Sequence, residues 1–509
     1  MHKYIIGLDS GTSGIKAVLF DLEGNEIAKS GMPLTARCPV ENWYEEDVEE
    51  IWINACKCIK DISSQYPADE IVGIGITAQG DGIWLVDENG IPTRNGCCFC
   101  DGRAVKELEE WESDGTVQKA FDIGGTRLCT GNQPCILKWM DRNDRPALNR
   151  AKYIMHLKDV LFLRLTGVAI SDATDQCLLF IDMRTREYDD RLFSLYGLSD
   201  YKQKFPPMLE PLKNKTPIKK ELATKLGLSD KTIITCGPMD VVACAIGAGV
   251  MKSGHCCSII GTAALHEMVI DEPCRDRIFT GMTVSHITRK NLRLMASFAG
   301  TPNLEWVINT FGAGLKKEAE KTGSNIYDYV EELISTIPIG SNGVIYHPYL
   351  LAGGERAPFT EPNAKASFTG ISHVTTIADI MRACYEGVAL AMLDCYNHMP
   401  QPVEQITVCG GGAASNLWCQ MFADAIGKPV RTVNGEELGA RGAAITNAVA
   451  QSFFHDFDEA LDNIISTKKI YEPNEENHKQ YLRFYKLYKS TYEALMPTWK
   501  QRFEVLFGI

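Results

Sequence analysis

No stretch of this 509-residue sequence approaches the ~20 consecutive apolar residues that a membrane-crossing helix requires. The first apolar run, Tyr4 to Leu8, stops at Asp9 before the core of a secretion signal could form. The expectation is a soluble, cytoplasmic chain with no membrane partner. Basic residues are in deficit, 52 against 65 acidic, for a formal charge of −13. Such a surface argues against nucleic acid as a partner, but leaves room for a local phosphate site. Histidine is scarce, at ten residues. With no HxH or HExxH spacing, the ligand set of a metal-dependent hydrolase is missing. The common nucleotide fingerprints are also missing. There is no G-x-x-x-x-G-K-[ST] loop, and G-x-G-x-x-G is incomplete. Any nucleotide must sit on another scaffold. Cysteine, in contrast, is plentiful, at 18 residues. Without an export signal these read as reduced, small apolar residues. Cys244, Cys256, Cys257 and Cys409 lie inside apolar runs, and Cys97-Cys98-Phe99-Cys100 has no second pair with which to build a zinc site.

A hydrophobic content of 45% with 23% charged residues is ordinary for a globular protein. Single cores stop growing near ~250–300 residues, so two domains are expected. Gly247, Gly249 and Gly254 cluster at the expected joint, giving domains 1–248 and 249–509. Tyr4 to Asp9, Ile15 to Asp21 and Glu26 to Ser30 read as three strands of an antiparallel meander. Val48, Ile51, Trp52, Ala55, Ile59 and Ile62 share one helical face. Ile71 to Ala78 is a further strand, and Tyr153 to Leu165 has helical spacing. A second α/β unit opens with the strand His255 to Ile260. Strands at Leu292 to Ala299 and Gln405 to Cys409 follow. Helices are expected at Ile377 to His398, from Asn416, and at Glu475 to Leu495.

Six segments carry chemistry. In Asp9-Ser10-Gly11-Thr12-Ser13-Gly14-Ile15-Lys16 a carboxylate ends a strand. Small residues then let backbone N–H groups turn toward an anion. Asp9 suits a magnesium ion held through water, and Gly11, Thr12, Ser13 and Lys16 suit phosphate. The same residues also suit a tight hairpin whose turn Asp9 caps. Gly261-Thr262 follows a second strand and can be a second phosphate contact or a turn. Gly410-Gly411-Gly412, followed by Asn416, allows close approach of a planar ligand at a helix start. Asp240, after Pro238-Met239, is either a helix cap or a general base. Gln79, Asp81, Asp101 and Arg103 offer amide, carboxylate and guanidinium groups to a polyol, or form solvated turns.

In combination these segments resemble the FGGY family of carbohydrate kinases over nearly the whole chain. Ala366-Ser367-Phe368-Thr369-Gly370-Ile371, then seven residues, then Asp379 to Gly387, is similar to that family's carboxy-terminal signature. Glu436 to Ala444 is similar to its adjacent glycine segment. Gln79-Gly80-Asp81-Gly82 stands where many xylulose kinases have a methionine-histidine pair. Together with Asn303-Leu304-Glu305-Trp306, it looks closest to the L-xylulose and erythritol kinase branch.

The resemblance implies an α/β, two-domain actin/hexokinase/heat-shock-70-like ATPase fold with duplicated ribonuclease H-like domains. It implies ATP and Mg²⁺, a small sugar or polyol as substrate, and domain closure; dimers are common in the family. Asp240 is then the catalytic base and a substrate contact. Asp9 is the metal partner, and Gly11, Thr12, Ser13, Lys16, Gly261, Thr262, Gly410, Gly411, Gly412 and Asn416 hold the nucleotide. Gln79, Asp81, Asp101 and Arg103 orient the substrate, expected to be a pentulose such as L-xylulose or a tetritol such as erythritol. D-xylulose, ribulose and glycerol are less favoured. A sensor that binds both ligands without chemistry is disfavoured by the retained Asp9, Asp240 and Thr262. A chaperone-type ATPase would need a separate peptide-binding module.

Overall fold

Strands that alternate apolar residues with glycine can be covered on both faces only if one cover comes very close. The first sheet is built in this way. It has six strands in the order Lys215–Pro217, Ile233–Cys236, Ile71–Ala78, Tyr4–Ser10, Gly14–Asp21, Glu26–Pro33. The last three form the expected antiparallel meander, with Asp9 opposite Lys16. Ile71–Ala78 and Ile233–Cys236 join in parallel. Ile6, Leu8, Ile74 and Ile76 belong to one buried core with Ile51, Ala55, Ile59 and Ile62 of the helix Val48–Ser63. Asp47 starts that helix by accepting from the amides of Glu49 and Glu50. Side chains alternate faces along a strand, so Gly7 and its neighbour Gly75 point the other way. The helix Leu438–Ala450 lies there. A Cβ on Gly7 would sit 1.9 Å from the Ala440 carbonyl, and one on Gly75 2.0 Å from that of Ala443. On its far side Gly442 meets the helix Asp240–Gly247, with 1.9 Å left between a Cβ and the Ala243 carbonyl.

The computed structural model describes residues 2–274, 281–351 and 353–507. They form two compact units. The first comprises Met1–Met251, Val269–Leu292 and Asn434–Ser466, and the second Lys252–Met268, Arg293–Val433 and Thr467–Ile509. The sheet begun by His255–Ile260 repeats the logic of the first. That strand pairs antiparallel with Ala264–Ile270 and parallel with Gln405–Cys409. Gln405–Cys409 is parallel to Val430–Val433, which is antiparallel to Thr467–Tyr471. The helix Ile377–Asn397 is buried along almost its whole length and starts at a reciprocal Thr376–Asp379 capping box.

Two elements differ from their sequence patterns. Tyr153–Met155 is a strand paired with Trp84–Val86, and the helix begins only at Leu157. The extended backbone of His156 separates the two. The last helix runs from Glu475 to Phe507 and carries Pro497 inside it. None of the 18 cysteines is in a disulfide, and most are buried. Among the described residues, no helix is long and apolar enough to cross a membrane.

Candidate active site

Ligands of open α/β sheets gather beyond the carboxyl ends of parallel strands. In the first unit three neighbouring strands end together there. Tyr4–Ser10 leads to Gly11, Ile71–Ala78 to Gln79, and Ile233–Cys236 to the turn before Asp240. The Gln79 amide donates to the Ser10 carbonyl at 2.9 Å, locking the first two loops together. The Thr12 hydroxyl donates to Gln79 Oε1 at 3.4 Å. Gln79 Nε2 donates to both oxygens of buried Glu46 at 2.8 Å. Gly11 closes its turn on the Gly14 carbonyl at 3.0 Å, while the amides of Thr12 and Ser13 find no acceptor among the described residues. Lys16 Nζ lies 2.8 Å from Glu437 Oε2, and this hydrogen bond raises its pKa.

Asp240 is the first residue of its helix, and Met239 occupies the cap position. Asp240 Oδ1 accepts from the Val241 amide at 2.8 Å. Burial pushes its carboxyl up to about 6, against amides of Val241 and Gly80 that pull it down. Asp9 is pushed up to about 7, first by burial and then by the charge of Asp240, with Lys16 opposing. A Cβ on Gly439 would lie 2.4 Å from Asp9 Oδ2, so only glycine leaves that carboxylate its place. A buried carboxyl whose pKa is raised further by a neighbouring carboxylate is relieved by a cation. Asp9, with Asp240 nearby and no side chain on Gly439, therefore fits a divalent metal such as magnesium.

A pH prediction follows. If Asp240 serves as a general base, it works ionised, and kcat/KM should then fall as pH drops through about 6–7, and be flat above. An acid limb centred near the ordinary aspartate value of about 4 would contradict this.

The other expected substrate residues are brought close, but most of their polar atoms are committed. Asp81 has a left-handed φ of 63°. It accepts from the Gln133 amide at 2.9 Å and from Asn132 Nδ2, and burial pushes it up to about 7. Asp101 accepts from the Tyr44 amide at 2.7 Å and from Arg103 Nε at 2.8 Å. Arg103 donates to Glu45 at 2.8 Å and lies 4.3 Å from the ring centre of Trp43. Only its Nη1 is buried without a hydrogen-bond partner. Asp101 and Arg103 brace the segment Tyr44-Glu45-Glu46, which in turn holds Gln79, while Asp81 is tied to Asn132 and Gln133.

Several side chains at this edge escaped the sequence reading. Met239 lies under Gly80, where a Cβ would come within 2.5 Å of Cε. Glu46 holds Gln79, and Glu437 holds Lys16. Lys158 is buried among three carboxylates, 2.7 Å from Asp159, 2.6 Å from Asp172 and 3.1 Å from Asp175. His156, Asp159 and Asp175 are close enough to hold a metal ion, as are Asp159, Asp172 and Cys236, but the Lys158 ammonium already supplies a cation among these carboxylates. The Lys158-Asp159 dipeptide inside an apolar helix was the one available signal.

The second unit places its two glycine loops at adjacent strand ends. Gly261 closes a turn on the Ala263 carbonyl at 3.0 Å, and its own carbonyl accepts from the Thr301 amide at 2.8 Å and hydroxyl at 3.0 Å. Thr262 is exposed at the tip. Gly410 has a φ of 75°, and a Cβ there would sit 2.8 Å from the Ile260 carbonyl, so this loop lies directly over the end of the neighbouring strand. Gly411–Ala414 makes one tight turn, and the Ser415 hydroxyl caps the helix Asn416–Ile426 through the Trp418 amide at 2.9 Å. Asn416 Oδ1 accepts from Tyr471 at 2.7 Å and Lys469 at 2.8 Å. Tyr471, Lys469 and Glu331, which holds Ser415, were not foreseen.

Residues 4–247 match the N-terminal domain of the FGGY family of carbohydrate kinases, and residues 256–451 match its C-terminal domain. The chain is 29% identical to an erythritol kinase of Brucella abortus, with 97% of each chain covered. It is 28% identical to an L-xylulose/3-keto-L-gulonate kinase of Escherichia coli, covering 97% of this chain and 98% of that one. A xylulose kinase structure from Lactobacillus acidophilus superposes with a TM-score of 0.89 at 24% identity, over 98% of this chain and 99% of the other. The architecture is thus the two-domain α/β fold of the actin and hexokinase ATPases. With both family domains matched in order, the chain belongs to the FGGY family of carbohydrate kinases, which transfer phosphate to a sugar hydroxyl.

Proposed function

We propose that this chain uses ATP to phosphorylate a small polyol or ketose, a tetritol such as erythritol or a pentulose such as L-xylulose, with Asp240 as general base. The observation that carries the reading is the Asp240 carboxyl at a parallel strand's carboxyl end, beside Asp9 and pushed up to about 6. At neutral pH such a group is ionised, yet basic enough to take a proton from an alcohol as its oxygen attacks. The substrate O–H breaks toward Asp240 Oδ, the new O–P bond forms in line, and the bond to ADP breaks. General-base help of this kind is worth roughly 10²–10⁴ in rate. The free amides of Thr12 and Ser13, with the exposed Thr262, suit phosphoryl oxygens. Gly410, Gly411, Gly412 and Asn416 suit the adenosine. Mg²⁺, held through Asp9, would neutralise charge on the phosphates. Gln79, fixed by Glu46, faces the sugar, while Asp81, Asp101 and Arg103 hold the surrounding loops in shape.

The substrate assignment leans on the loop Gln79-Gly80-Asp81-Gly82 and on the two relatives named above. Its test is ADP release from ATP across C4 and C5 polyols and ketoses, with NMR of the product. Erythritol or L-xylulose should exceed D-xylulose, ribulose and glycerol by about tenfold or more in kcat/KM, the discrimination that one or two hydroxyl contacts provide. Preference for D-xylulose or glycerol would overturn the assignment. Binding of sugar and ATP without ADP release would favour the non-catalytic sensor.

A further inference from the structure

Asp240 owes its place to the residue before it, and that residue is tied to an element outside the strand-end loops. The turn at 237–239 is held at three points. The Gly237 amide donates to the Ile76 carbonyl at 2.9 Å, and the Thr77 hydroxyl donates to the Pro238 carbonyl at 2.7 Å. Both of these bonds come from the neighbouring strand and fix the turn along it. The third differs in origin. The Met239 amide donates to Thr174 Oγ1 at 3.0 Å, in the buried segment 172–176.

The direction of that bond is set by chemistry further back. A threonine hydroxyl has one hydrogen and two lone pairs. Thr174 Oγ1 donates its hydrogen to Asp172 Oδ1 at 2.5 Å, and the Thr174 amide donates to the same oxygen at 2.7 Å. The other oxygen of Asp172 lies 2.6 Å from Lys158 Nζ. The ammonium keeps Asp172 an acceptor, so the hydroxyl proton stays on that side and its lone pair faces Met239. Met239 is the cap residue of the helix that Asp240 begins, so the placement of its amide sets the carboxylate that follows. A buried amide left without an acceptor would rotate or shift to find one.

We propose that Thr174 is a positioning residue for Asp240, its hydroxyl polarised by the Lys158–Asp172 pair so that it holds the Met239 amide. This rests on Asp240 being the base. The experiment compares Thr174→Val, which removes the hydroxyl at constant shape, with Thr174→Ser, which keeps it. Thr174→Val should lower kcat by about 10- to 100-fold, the scale of a sub-ångström to one-ångström misplacement. KM for sugar and ATP should stay within about threefold, and Thr174→Ser should restore kcat to within about threefold. A double-mutant cycle separates positioning from general loosening. In the Asp240→Asn background, Thr174→Val should change the residual turnover by less than about twofold, because there is no base left to place.

Thr174→Val with parental kcat, Thr174→Ser as slow as Thr174→Val, or a full further loss in the double variant would each overturn the inference. Should Thr174→Val lack a cooperative thermal transition, the decision passes to Thr174→Cys, a weak acceptor of similar volume, under the same limits. If Asp240→Asn itself retained parental turnover, the catalytic reading would fall first. If Asp240→Asn is slow and the Thr174 variants are not, only the present inference falls.

Discussion

Asp240→Asn should lower kcat by roughly 10²–10⁴ while sugar and ATP affinities stay within about threefold. Asparagine has the shape of aspartate and can keep the contact to the Val241 amide, which lies 2.8 Å from Oδ1. It cannot take a proton. The loss should therefore appear in turnover and spare binding. Two secondary effects sharpen the test. The acid limb near 6 should change, because one of the two titrating carboxyls is gone. Asp9 should also become easier to ionise, since the charge of Asp240 is the second cause, after burial, of its rise to about 7. The measurements are ADP release at saturating substrates, calorimetric binding of each ligand, and the pH profile of kcat/KM. Turnover equal to that of the parent would remove Asp240 from the mechanism.

Lys158→Met should destabilise the first unit by about 3–5 kcal/mol, out of a total that for native domains is about 5–15 kcal/mol. Lys158 is 1% exposed and lies within 3.1 Å of three carboxylates. Removing the ammonium leaves buried anions without a counter-charge, which costs far more than losing a surface pair. A methionine fills the volume, so packing does not confuse the result. Asp175→Asn is the matched control. Burial drives the Asp175 pKa up against the pull of Lys158, so exchanging this carboxyl for its amide should cost less than removing the ammonium, about 1 kcal/mol or less. Urea unfolding followed by tryptophan fluorescence reads both. A parental midpoint for Lys158→Met would show that the cluster is not held by its charge.

The strand-end loops were legible because their chemistry is local. Asp9 to Gly14, Gly261-Thr262 and Gly410 to Gly412 each combine an apolar run with small residues in immediate succession, and each lies at a strand end. The meander at residues 4–33 was equally plain from its turns. The Lys158 cluster was not, because its members lie at 158, 159, 172, 175 and 236. Lysine beside aspartate ordinarily marks a solvated face, and only the fold reveals that it is sealed. The partners of Asp81, Asp101 and Arg103 were hidden for the same reason. Hydrogen-bonding groups in a sequence do not announce whether a ligand or a neighbouring loop will claim them. Tyr153–Met155 misled because three apolar residues before a helix fit its spacing as well as they fit a strand.

The helix Leu438–Ala450 has a consequence for biosynthesis. It completes the unit that starts at the amino terminus, with its carbonyls laid against Gly7 and Gly75, yet it is made long after residue 251. At ~5–20 residues per second, a ribosome leaves that glycine-floored sheet face uncovered for roughly ten to forty seconds. During this wait the nascent chain offers an apolar trough to any passing neighbour. A gene fragment truncated after residue 251 would keep that trough open permanently, and should accumulate in inclusion bodies.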